Sequence, residues 1–159
     1  VAGYWQELLE GSQYTNQQIA EMFGKCFTVQ SNPLVVKQVR DVYSHCEHHL
    51  ALMYNMTVTV AYLPTKVKGG YKVLGLSKIP RIVEMCAKRL QLQEKLAADI
   101  AECISFATGS NDVYVNIVAD HACVSARGAK SDGKTDVTHL SGMFIGNSTL
   151  RDEVERKVQ

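Results

Sequence analysis

The stretch "SHCEHHL" at residues 44–50 sets one cysteine and two adjacent histidines within four positions. A thiolate and an imidazole are both metal ligands, and an imidazole also carries protons near neutral pH. Cys46 and His49 are three residues apart, so on a regular strand they point to opposite faces. Both can hold one ion only if the strand ends here in a turn. A second polar cluster, "DHACVSARG" at 120–128, sets His121 and Cys123 two apart, on one side of an extended segment. Two cysteines and one histidine make a soft donor set suited to zinc, and three protein ligands leave a fourth position for water. A closed structural site would instead recruit His45, His121 or Cys26 as fourth ligand.

These side chains need a scaffold, and the chain is long enough to supply one. Its 159 residues, 46% hydrophobic, predict a single domain with one core. Seventeen basic against sixteen acidic residues give a net charge of +1, which argues against a nucleic-acid or membrane partner and makes any anion site a local one. No apolar run approaches the roughly 20 residues of a membrane span, and nothing at the N-terminus reads as a signal peptide. Five cysteines at irregular spacing suit reduced thiols and ligands rather than a disulfide framework, and so a cytoplasmic protein. Cys86 and Cys103 lie on apolar helical faces, as small buried hydrophobes do.

The order of elements follows from periodicity. An N-terminal helical segment spans about 1–24. Trp5, Leu8 and Leu9 have helical spacing that stops at Gly11, and Thr15 with Gln18 forms a capping box ahead of Ile19, Met22 and Phe23. Strands are expected at Leu34–Tyr43 and Met56–Leu63, where Val58, Val60 and Tyr62 share a face. "KVKGGYKV" reads as a glycine-hinged loop, and Ser77 as the cap of a helix with Ile79, Ile82, Val83 and Cys86 facing inward. A second helix carries Leu92, Leu96, Ile100, Cys103 and Ile104. "VYVNIVAD" is a strand, "ARGAKSDGKTD" a polar loop, 137–144 a weak strand, and 149–158 a polar helix. Separated pairs of strands predict an α+β domain with an antiparallel sheet and helices on one face, and open sheet edges that other subunits can cover.

The motifs "CEHHL" (46–50), "VAYLP" (60–64), "GLSKIPRIVE" (75–84), "RLQLQEKL" (89–96) and "DHACVSARG" (120–128), in this order and spacing, resemble GTP cyclohydrolase I over most of the chain. The resemblance implies the tunnelling fold, ββααββ, with sheets joined between subunits into a barrel. It further implies a homo-oligomer, a decamer of two stacked pentamers with active sites between subunits. The implied reaction is hydrolysis of the imidazole ring of GTP to formate and 7,8-dihydroneopterin triphosphate, the entry to folates and other pterins.

Carried onto this chain, the resemblance makes Cys46, His49 and Cys123 the ligands of Zn2+, which would activate a water for attack on guanine C8. His48 is then the general acid and base, His121 a second catalytic histidine, and Ser77 a residue beside the ribose. Glu94 would take the N1–H and amino donors of guanine, with Gln93 beside it and Leu76 and Leu92 flanking. Lys78, Arg81 and Arg127 would hold the triphosphate, with Ser77 and Lys78 at a helix N-terminus that favours anions. Glu47 would fix the geometry of the ligand motif.

This chain departs from the family pattern in places. Gly3 stands where some members carry a lysine, "ALMYNM" replaces the usual Pro-Phe and glycine after "CEHHL", "KVKGGYK" is longer than usual, and the Thr-x-Thr segment reads "TDVT" at 135–138. Relatives in the same fold that act on a pterin or deazapurine use other groups. The nitrile reductase branch wants a catalytic cysteine without the paired histidines, and the pyruvoyl-pterin synthases put three histidines on zinc. A zinc-stabilised binding protein without turnover would need a closed four-ligand site.

Overall fold

The computed structural model describes all 159 residues, Val1–Gln159. Alternation builds its main sheet. Val35–Cys46 (β2), Leu52–Tyr62 (β3) and Val113–His121 (β7) pair antiparallel, with Thr135–Leu140 (β8) on β7 and the two-residue strand Leu90–Gln91 (β6) parallel to the end of β2. The spatial order is β6-β2-β3-β7-β8. Val58, Val60 and Tyr62 of β3 and Val113, Val115 and Ile117 of β7 are fully buried on one face. Against that face pack Lys78–Ala87 (α3) and Gln93–Thr108 (α4), which bury Ile79, Ile82, Val83 and Cys86, and Leu96, Ile100, Cys103 and Ile104. Cys86 and Cys103 meet there with their sulfurs 3.5 Å apart.

The other face is covered at one end only. Ala61 and Tyr114 alternate with the core residues and so face away from α3 and α4; they join Phe144 of the short helix Met143–Gly146 (α6) and Val154 of Ser148–Lys157 (α7) in a second, smaller cluster. The strand expected at 137–144 thus shifts to β8, and its last residues turn into α6, because Gly142 has φ +59° and breaks the extended run.

The N-terminal segment folds as Ala2–Leu8 (α1), a 3-10 turn at Glu10–Gln13 and Asn16–Met22 (α2). The capping box forms: Thr15 Oγ1 accepts from the Gln18 N–H at 3.1 Å, and Gln18 Oε1 accepts from the Thr15 N–H at 2.9 Å. Gly11 does not end a helix. It is buried in the 3-10 turn, where any Cβ would collide with the Met85 carbonyl oxygen. Arg89 fastens this segment to the core, donating to the carbonyls of Gly11 at 3.0 Å and Tyr14 at 2.8 Å and to the Asn16 side chain at 2.8 Å.

The expected loop at "KVKGGYKV" is a β-hairpin instead. Thr65–Val67 (β4) and Gly70–Leu74 (β5) pair antiparallel, and Cys26–Val29 (β1) adds to β5 to make a separate three-stranded sheet. Gly69, at φ +90°, makes the tight turn. Strand β1 is too short and too exposed for alternation to reveal. Ser77 does hold the N-cap position of α3, but its hydroxyl accepts no helix N–H, since its backbone is already near-helical at φ −71°, ψ −14°.

Candidate active site

Cys46 is the last residue of β2, and the chain then turns. The Cys46 N–H donates to the Ala51 carbonyl and the Leu50 N–H to the Cys46 carbonyl, both at 2.8 Å. This turn, with Leu50 at φ +55°, lifts His49 to the side on which the buried Cys46 thiol lies. It is the turn that the three-residue spacing requires. On the far side of β3, His121 ends β7, and Ala122–Ser125 (α5) coils at once, so Cys123 sits in a helical turn and not on the extended segment that its spacing from His121 suggests. Ser125 Oγ donates to the His121 carbonyl at 3.1 Å and lies 3.3 Å from Tyr54 Oη, which braces that turn.

Met53 of β3 pairs with Ser44 on one side and His121 on the other, so both polar ends reach the same level of the sheet. The ligand atoms of Cys46, His49 and Cys123 come within 4.8 Å of one another, and no other cysteine, histidine or carboxylate joins them. A tetrahedral ion with metal–sulfur bonds of about 2.3 Å wants its donors roughly 3.7 Å apart, a small contraction from this spread. Burial, reinforced by the neighbouring Cys46 thiol, pushes the Cys123 thiol above its ordinary range. The Arg127 guanidinium acts against this, and a divalent cation between the two thiols would favour their ionised forms further.

The three candidate fourth ligands lie elsewhere. His45 points to the opposite face, where its ring packs 5.1 Å from that of Trp5. Cys26 donates to the Ala107 carbonyl at 3.3 Å. The Nε2 of His121 lies 2.6 Å from Gln93 Oε1. Next to the trio, the His48 ring stands 4.2 Å from that of His49 and is exposed to solvent.

Strand β6 brings the "RLQLQE" segment to this place. Gln91 pairs with Cys46, so Leu92, Gln93 and Glu94 follow within a few residues of a ligand. Glu94 is exposed in the first turn of α4, where the helix dipole favours an anion. Gln93 stands beside it, but its amide is engaged inside the protein. Burial lowers the His121 pKa, with the Glu94 and Asp120 carboxylates acting against it. Asp120 is held below the usual carboxylate range by hydrogen bonds from Asn55 at 2.9 Å and Lys134 at 3.1 Å. Neither partner is evident in the sequence, because the contacts join residues 65 and 14 positions apart. Arg127 follows α5 on the same side and is exposed.

Leu76, Ser77, Lys78 and Arg81 are not brought to this group. They sit at the N-terminal end of α3, whose other end meets β2 where the Ala87 carbonyl accepts from Ser44 Oγ at 2.7 Å. Ten residues of α-helix, about 15 Å, separate the two ends. Leu76, Ser77 and Arg81 are exposed, and Lys78 is half-buried.

A family model spans the chain: GTP cyclohydrolase I matches residues 1–159. The chain belongs to the GTP cyclohydrolase I family. The GTP cyclohydrolase 1 of Clostridium botulinum (strain Kyoto / Type A2) is 46% identical over 151 residues, covering 91% of this chain and 74% of that protein. The Clostridium acetobutylicum and Clostridium beijerinckii proteins of the same name are each 44% identical, covering 94% and 96% of this chain and 77% and 79% of theirs. Among solved structures, the apo archaeosine synthase QueF-Like superposes with a TM-score of 0.53 at 21% identity, covering 71% of this chain and 97% of that one. At that identity the likeness speaks for the fold: the chain has the α+β tunnelling fold. No helix is long and apolar enough to cross a membrane.

Proposed function

We propose that this chain hydrolyses GTP to formate and 7,8-dihydroneopterin triphosphate at a zinc ion held by Cys46, His49 and Cys123. The observation that carries the reading is the three-ligand cluster, with an exposed His48 at its edge and no fourth protein donor. Two thiolates and an imidazole suit zinc, which, with one coordination position open, supplies a water that is acidic near neutral pH.

The chain's own residues do the rest. Glu94, at the head of α4, accepts the N1–H and amino donors of guanine as a pair, and adenine lacks that pattern. Leu92, and Leu76 of a second copy of the chain, offer apolar surface to the base. His48 moves the protons that purine N7 and N9 must gain for the C8 bonds to break, and formate leaves with C8. His121, on the other wall, is the second proton carrier.

Ser77, Lys78 and Arg81 lie a helix length from Cys46 within one chain, which favours a site completed by a second copy. The partner copy then brings its α3 N-terminus to the triphosphate, opposite Arg127. The open edge of β8 and the mostly unpaired outer edge of β2 provide the strands for such pairing, in a barrel and a decamer of two pentamers. Five free thiols suit a reducing, cytoplasmic setting.

The test is direct. Purified protein loaded with zinc and incubated with GTP is expected to release formate and, after oxidation, a fluorescent pterin. Neither product at any metal loading overturns the proposal. A four-ligand ion without turnover would favour the binding-protein reading instead.

A further inference from the structure

Gln93 is only 2% exposed, and both ends of its amide are hydrogen-bonded inside the protein. Its Nε2 donates to the Ile117 carbonyl at 2.8 Å and to the Thr135 carbonyl at 2.9 Å, while Oε1 lies 2.6 Å from His121 Nε2. Carbonyl oxygens only accept, so the amino group of the amide must face Ile117 and Thr135; a flipped amide would set three oxygens against one another. The amide oxygen therefore faces the imidazole. An amide oxygen cannot donate, so the proton in that short bond belongs to His121 Nε2. The neutral ring is left with one lone pair, on Nδ1.

We infer that Gln93 is a positioning residue: it fixes His121 as the Nε2–H form, so that Nδ1 is the single atom of this ring through which a proton enters or leaves. The inference rests on the proposed role of His121 as a proton carrier. It moves Gln93 from a reader of guanine to a residue that acts through a histidine. The two carbonyls that hold the amide belong to β7 and β8, so the orientation of Gln93 is set by the sheet.

The experiment reads the ring directly. In zinc-loaded protein labelled with 15N-histidine, His121 should show a pyrrole-type Nε2 bearing an exchange-protected proton and a pyridine-type Nδ1. A proton on Nδ1 with a bare Nε2 would overturn the inference. Because this measurement needs no turnover, it stands apart from whether GTP is the substrate. Gln93→Met should remove the exchange protection and lower kcat about 10- to 100-fold, the usual range for a partner that orients a working histidine, with KM for GTP changed less than about threefold. In a His121→Ala background the same substitution should cost nothing further. An equal loss of kcat in both backgrounds would mean that Gln93 does not act through His121.

Discussion

The Glu47 N–H donates to the Gln91 carbonyl at 3.0 Å, and this bond joins the turn that bears His49 to the segment that bears Glu94. Without β6, the ligand turn and the head of α4 would be two unconnected loops. With it, the proposed metal-ligand turn and the carboxylate proposed to read the base are joined through backbone. The cluster, its neighbouring His48 and the head of α4 are therefore held together, and their proposed roles are separable by substitution.

His48 is close to the cluster but is not one of its three members. His48→Ala should keep stoichiometric zinc and lose turnover by about 10²- to 10⁴-fold, as removal of a general acid–base group does. Cys123→Ser should lose zinc and turnover together. Metal analysis beside an activity assay checks both, and equal zinc loss in the two variants would refute this division of labour.

Glu94 is exposed and outside the ligand set, so its removal should leave the metal untouched. Glu94→Ala should weaken GTP binding at least about tenfold, since a bidentate charge-assisted contact is lost. Calorimetric titration with GTP reads this, and unchanged affinity would move the guanine pocket elsewhere.

Asp99 is the acidic anchor of the N-terminal segment. Burial alone would raise its pKa, but hydrogen bonds from Lys95 at 2.8 Å, Gln91 at 3.1 Å and Asn16 at 3.1 Å outweigh it and hold the carboxyl below its ordinary value. Arg89 adds a 3.3 Å ion pair. A depressed carboxylate stabilises the fold above its unfolded pKa of about 3.9, and that contribution is lost as pH falls through the lower folded value. Melting temperature should therefore drop on acidification below about pH 4. Asp99→Asn should be less stable at pH 7 by about 2 kcal/mol and should lose less on acidification than the parent. Parallel acid limbs for parent and variant would contradict this.

Gly11→Ala places a methyl group on the Met85 carbonyl oxygen. We expect about 2–3 kcal/mol of destabilisation. Trp5, the single tryptophan, packs on His45, so its fluorescence should report an N-terminal segment loosened from the core. An unchanged spectrum and melting point would show that the backbone can give way at this contact.

Local chemistry was legible in the sequence where motif and geometry coincide. The Thr15–Gln18 box, the inward faces of α3 and α4, and the alternation of β3 and β7 follow from period and residue type. Residue type and spacing pointed to Cys46, His49 and Cys123 as a soft donor set, while a fourth ligand from His45, His121 or Cys26 stayed open until the resemblance implied the three-ligand form. What stayed hidden depends on long-range register. The Gln93–His121 bond joins residues 28 apart in the chain, and a glutamine opening a helix gives no sign of it. The hairpin at 65–74 reads as a loop because its pairing partner, β1, is four residues long and lacks a buried face. The helical turn at Cys123 was missed because alternation in β7 runs without a break up to His121.

X-ray absorption at the zinc edge of the resting, substrate-free protein tests the core of this account most directly. Two sulfur scatterers, one histidine nitrogen and one further light atom per zinc are the predicted shell, with the light atom exchanged or displaced when GTP is added. A shell of four protein donors, or three sulfurs, or a protein that turns over GTP with no metal bound, would contradict it.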